Sequence, residues 1–118
     1  MRDIKFKFWN KKLRKMSNVL GLGVIYEYLC EEWGVFDWKD IEKRQFTGIL
    51  DKNGVDVYEG DIIDANIIEH SISTMGQVVF CEEYSTYANR NLAGDTFLWK
   101  LNRIKVRGNI FESPELLK

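Results

Sequence analysis

Four carboxylates are the residues with the most to offer chemically. Glu59, Asp61 and Asp64 stand close together, and with Glu112 brought alongside their oxygens would suit Mg²⁺ and metal-assisted phosphoryl hydrolysis. In an extended chain, however, Glu59 and Asp61 share one face while Asp64 points to the other. A plainer use is available: Glu59 and Asp61 flank Gly60, where short acidic side chains accept backbone N–H groups at a sharp corner. That use is the stronger expectation, and a metal-dependent nuclease the weaker one. His70 has hydroxyl neighbours in Ser71, Ser73 and Thr74. A catalytic set needs convergence from separate elements, so a solvated loop histidine is expected. One His and two distant cysteines, Cys30 and Cys81, do not make a zinc site, and no catalytic residue, metal or cofactor is assigned.

Charge suggests a second kind of chemistry. Net charge is only -1, yet the first fifteen residues hold Arg2, Lys5, Lys7, Lys11, Lys12, Arg14 and Lys15 against Asp3 alone. Such an end can be a nucleic-acid footprint, a basic edge docking on an acidic neighbour, or lysines that keep an edge strand from pairing. Were the first and last strands paired, Lys5, Lys7, Lys105 and Arg107 would share an outer face, with Trp9, Tyr84, Tyr87 or Trp99 near for base stacking. Those rings serve a core more often than a base, and a nucleic-acid domain shows a clearer basic excess, so this is the alternative.

The elements that would position these groups are mostly strands. Ile4, Phe6 and Phe8 alternate with Lys5 and Lys7, and a hairpin follows across Asn10-Lys11-Lys12. Gly21 and Gly23 break the chain. Residues 24–33 are ambiguous: Ile25, Tyr26, Leu29 and Trp33 have helical spacing, Val24, Tyr26 and Tyr28 alternate, and β-branched and aromatic content favours strands. Asp51-Lys52-Asn53-Gly54 predicts a hairpin turn, with Gly54 left-handed, and Glu59-Gly60-Asp61 a second reversal. A strand continues to Glu69, a loop spans His70 to Gly76, and Gln77 to Cys81 is a strand. Glu82 to Thr96 predicts a long loop, and such a loop is functional, mobile or ordered by a partner. Phe97 to Leu101 and Ile104 to Phe111 are two strands joined through Asn102-Arg103, with a bulge at Gly108. Ser113-Pro114-Glu115 opens a short terminal helical turn.

The expected architecture is therefore one mostly β domain over residues 1–118, barrel-like and built from hairpins, with a short C-terminal helical turn. A chain of 118 residues with a single proline and abundant aromatics can bury a core without staples. The cysteines read as reduced, no apolar run suits a bilayer, and a cytoplasmic protein with no membrane contact is expected.

Three blocks resemble the YopX family of phage and prophage proteins. They are MRDIKFKFWN with Lys15-Met16, QFTGILDKNGVDVYEGDII from Gln45 to Ile63, and GNIFESPELL from Gly108 to Leu117, with a fainter echo in Gly76 to Phe80. Ile49, Val57, Phe111 and Ser113 replace the family's usual Leu, Ile, Tyr and Asn, while Val19 to Arg44 and Ser85 to Thr96 match poorly. The resemblance implies a small, mostly β, phage-encoded cytosolic protein without an established activity, and it carries over no catalytic residue. Its positions Gly48, Asp51, Asn53, Gly54, Tyr58, Glu59, Gly60, Asp61, Gly108, Asn109 and Pro114 are chiefly ones where backbone geometry is demanding. The complementary charge of the two parts of the chain, its many aromatics and its long poorly matching segments all suit an interface. The expected function is therefore a non-enzymatic accessory module that self-associates, with a host or phage protein as a further partner. Tyr26, Tyr28, Trp33, Phe36 and Trp38 are the candidate contact residues, since aromatic anchors are common in interfaces.

Overall fold

A computed structural model describes residues 4–21 and 25–117. Arg2, Asp3, Gly23 and Val24, used above, lie outside the described residues. The chain is mostly β, one half-barrel sheet plus a second sheet, with one α-helix among the described residues. Strands β1 (Phe6–Asn10), β2 (Lys15–Met16), β3 (Ile41–Leu50) and β4 (Asp56–Tyr58) form a sheet in the order β2-β1-β3-β4. Strands β5 (Asp61–Ile67), β6 (Ile72–Cys81), β7 (Thr86–Asn91), β8 (Gly94–Phe97) and β9 (Leu101–Asn109) form the other, ordered β8-β7-β6-β5-β9. Every pairing is antiparallel.

The predicted turns carry the connections. Asp51 accepts the Gly54 N–H at 3.0 Å and Gly54 has φ +81°, so β3 and β4 close as the residues demand. The β4–β5 corner is Glu59-Gly60, where Gly60 (φ +85°) donates to the Val78 carbonyl at 2.8 Å and accepts from the Ile110 N–H at 2.9 Å. Register shifts mark a bulge in β3 around Gly48 and another in β9 at Arg107-Gly108. Gly108 has Leu116 Cδ1 3.0 Å from where a Cβ would sit, which lets the terminal 3-10 turn Pro114–Leu117 fold back against β9.

The core lies on the inner face of the five-stranded sheet. Ile63, Ala65, Val78, Tyr87, Leu98, Leu101 and Ile104 cluster there with Val57 from β4. Ile62 and Ile63 are both fully buried, and because neighbours in a strand face opposite ways, β5 is covered on both sides.

Four expectations are corrected. Residues Ile25–Trp33 form an α-helix, α1, and not strands. The tyrosines that suggested alternation are half-exposed, whereas Leu29 is fully buried and Gly34 (φ +73°) ends the helix by donating to the Cys30 carbonyl at 2.8 Å. The predicted loop at 82–96 is the 3-10 turn Glu82–Tyr84 followed by the β7–β8 hairpin. Its polar residues misled because they bond within the sheet: Asn89 and Asn91 both donate to Thr74 Oγ1, at 3.3 and 3.0 Å. The 70–76 loop is shorter than expected, since β6 begins at Ile72 opposite Ile67. Finally, Leu98–Lys100 is a 3-10 turn and β9 runs through Asn102-Arg103 without a break, absorbing them as an irregularity with Arg103 at φ +52°.

Candidate functional site

The carboxylates are dispersed among separate partners. Asp61, buried at the start of β5, pairs with the Arg44 guanidinium from β3, which is itself only 2 % exposed. Asp61 Oδ2 also accepts the Tyr58 N–H at 2.8 Å, and Arg44 Nε donates to the Glu59 carbonyl at 2.8 Å. Burial pushes the Asp61 carboxyl above its ordinary value, against the pull of Arg44 and the Tyr58 N–H. Glu59 Oε1 accepts the Gln45 N–H of β3 at 3.2 Å, so Asp61 holds backbone at the Gly60 corner as expected, whereas Glu59 holds the neighbouring strand. Asp64 is bonded by Arg107 at 2.7 and 2.8 Å, and Glu112 accepts from Asn109 at 2.9 Å. No group of three or more His, Cys, Asp or Glu gathers for a metal among the described residues.

The remaining motif residues are likewise occupied with backbone. Asp51 Oδ1 accepts the Asn53 and Val55 N–H groups at 2.8 and 2.9 Å, and its Oδ2 accepts from Val106 at 3.1 Å. Burial opposes ionisation of Asp51, but these three donors prevail and hold its carboxyl below the usual value. Asn109 Oδ1 accepts from Phe111 and Glu112 at 3.0 and 2.8 Å, shaping the approach to Pro114. Tyr58 is buried, its ring 5.7 Å from Phe46. His70 is exposed and its ring stands 3.9 Å from Glu69, while Ser73 Oγ bonds Asn66 at 3.3 Å and the Thr74 hydroxyl serves the asparagines.

The basic residues do not make one face. β1 pairs with β2 and β3, and β9 with β5, which removes the first-to-last strand pairing on which that face depended. Lys5 bonds Asp56 at 2.6 Å above the Phe46 ring, and Lys7 lies 4.7 Å from the Tyr58 ring, both on the four-stranded sheet. Lys105 and Arg107 belong to the other sheet. Trp9, packed on Phe111, is buried; Tyr87 is buried separately in the core of the five-stranded sheet, while Tyr84 and Trp99 are exposed beside Phe97.

What does converge is aromatic. Tyr26 and Trp33 come from α1, the chain reverses at Gly34, and Phe36 and Trp38 return beside them. Asp37 Oδ1 accepts the Lys39 N–H at 3.0 Å and starts the 3-10 turn Trp38–Asp40 that feeds β3. Phe36 is the hub: its centroid is 5.5 Å from Tyr26, 6.0 Å from Trp33 and 5.0 Å from Trp38, the last two edge-to-face at 89° and 86°. These four rings line a cleft of about 610 Å³ together with Asp37 and Asp40. The opposite wall is the β1–β2 turn, which presents Lys12 and Leu13. That turn is held by buried Asn10, whose Oδ1 accepts the Leu13 N–H at 2.9 Å, and by the Lys11 N–H donating to the Asp40 carbonyl at 2.7 Å.

Tyr26 and Trp38 are 51 % and 50 % exposed, and the Trp33 indole N–H is buried without a hydrogen-bond partner. A hydrogen bond with Cys30 one turn along α1 pushes the Tyr26 hydroxyl pKa up. Of the five aromatics singled out in the sequence, the structure brings four together and leaves Tyr28 exposed outside the cleft lining. Sequence reasoning missed the acidic and basic lining because Asp37, Asp40 and Lys12 reach it through turns. Arg44 carried no signal either, since a lone arginine in a polar-looking strand reads as surface.

A family model described as YopX protein matches residues 5–118. Among solved structures, the crystal structure of protein EF1440 from Enterococcus faecalis superposes with a TM-score of 0.63 at 20% sequence identity, covering 100% of both chains. That likeness shows the fold. No curated protein matches the chain.

Proposed function

This chain belongs to the YopX protein family, and from that membership and the aromatic cleft we propose a phage- or prophage-encoded cytoplasmic accessory protein that works without catalysis, as a protein-interaction module that associates with itself. The observation that carries this reading is the convergence of Tyr26, Trp33, Phe36 and Trp38 on an open cleft beside the β1–β2 end of the four-stranded sheet. α1 contributes fully buried Leu29 to the interior, yet half of Tyr26 on α1 and half of Trp38 on the 3-10 turn after it stay in water. Large rings with a polar tip, clustered and half-exposed, are the residues that anchor protein interfaces. Apolar patches rimmed by charge mark such surfaces. A symmetric assembly of identical chains is the default form of self-association.

Light scattering of the purified chain across micromolar and higher concentrations tests this. A mass above the monomer that falls on Trp38→Ala is expected. A strict monomer throughout would refute self-association. No helix among the described residues is long and apolar enough to cross a membrane.

A further inference from the structure

We infer that the cleft between α1 and the β1–β2 turn is a receptor for a lysine side chain carried by a partner polypeptide. This rests on the interaction reading above and names its chemistry. The ring pairs Trp33–Phe36 and Phe36–Trp38 meet at right angles, 6.0 and 5.0 Å between centroids, so the corner they form offers π surface from more than one direction. An alkylammonium held within about 6 Å of such ring faces is attracted by their quadrupoles, and perpendicular walls suit a compact cation better than a flat ring.

The charges that line the cleft are Asp37 and Asp40 against Lys12. Glu27, Glu31 and Glu32 stand on α1, and of the cations on the opposite turn Lys11 pairs with Glu42 and Arg14 lies over the Trp9 ring, outside the lining. Leu13 and Val35 supply apolar lining for the methylenes of a lysine stem. Lys12, at the rim, is the one lining residue of opposite sign. Its charge opposes entry of a second cation, so removing it should strengthen binding.

The test is an NMR titration of the full chain, following the indole N–H signals of Trp9, Trp33, Trp38 and Trp99. The probes are acetylated, amidated Gly-Lys-Gly, the same peptide with norleucine for lysine, and free n-butylammonium. The lysine peptide is expected to shift Trp33 and Trp38 saturably while leaving Trp9 and Trp99, with norleucine about fivefold weaker. Lys12→Ala should tighten lysine binding about twofold, and Asp40→Asn, which leaves the rings in place, should weaken it without changing norleucine. Equal binding of norleucine, or no saturable shift, would overturn the inference. Equal binding of n-butylammonium would overturn its assignment to a polypeptide. Light scattering on the same samples separates the two readings: lysine binding by a strict monomer would sink self-association alone, whereas a Trp38-dependent oligomer indifferent to lysine would sink the receptor alone.

Discussion

Asp51 Oδ2 accepts the backbone N–H of Val106 at 3.1 Å, so a turn of the four-stranded sheet is bonded to an edge strand of the five-stranded one. The Lys52 N–H donates to the Ile104 carbonyl at 2.8 Å beside it. Replacing Asp51 by Ala leaves three N–H groups without their acceptor. A loss of about 2 kcal/mol or more is expected in chemical denaturation, and Asp51→Asn should lose less.

Acid should expose the same contact. The Asp51 carboxyl titrates lower in the folded chain than in the unfolded one, so the unfolded state binds more protons between the two values and stability rises with pH there. The contribution is present above the ordinary carboxylate range and is lost as pH falls through the folded value. Wild type should therefore lose stability on acidification more steeply than Asp51→Asn, and parallel curves would contradict it. Asp61 works the other way: its raised value favours the folded state when protonated, a contribution lost as pH rises through that value.

Arg44→Met should destabilise strongly, by roughly 3–5 kcal/mol, because it strands the buried Asp61 carboxylate. Adding Asp61→Asn should recover part of that loss, since the second change removes the orphaned charge. A double variant no better than Arg44→Met alone in urea melts would contradict this account.

Gly60 and Gly54 share a left-handed backbone but differ in surroundings. A Cβ on Gly60 would stand 2.9 Å from the Phe111 ring, whereas nothing lies within 4 Å of one on Gly54. Gly54→Val should cost about 1 kcal/mol from conformation alone, and Gly60→Val more. Equal thermal shifts would mean that Phe111 yields freely.

Labelled single-stranded DNA, duplex DNA and RNA should show no steeply salt-dependent anisotropy with this protein. Lys5 and Lys7 lie on one sheet, Lys105 and Arg107 on the other, and Lys5 and Arg107 already bond Asp56 and Asp64. Binding that weakens sharply with salt would restore a nucleic-acid function through counterion release.

Much of this was legible in residue types. Asp51 to Gly54 and Glu59 to Asp61 announce reversals because few residues tolerate those backbone angles, and Ser113-Pro114 announces the last turn. Tertiary context hid the rest. Leu29 and Gly34 define α1, but Tyr26 and Tyr28 imitate a strand when their exposure is unknown. Asn89 and Asn91 look like loop residues until Thr74 is seen to receive them. The cleft was half visible: its rings stand out in sequence, whereas Asp40 and Lys12 come to line one cleft only because the Lys11 N–H of the β1–β2 turn bonds the Asp40 carbonyl.

The asparagine contacts in β7 also act against misassembly. A slip of two residues along β6 would keep every side chain on its own face, so hydrophobic pattern alone offers little resistance to it. It would also carry Asn89 and Asn91 away from Thr74, and Asn91 away from the Met75 carbonyl it reaches at 3.0 Å. Asn89 is almost wholly buried, so its side-chain N–H would lose its acceptor with no water to replace it in the wrong alignment. Two polar side chains thus serve as a proofreading device for how β7 is laid down on β6.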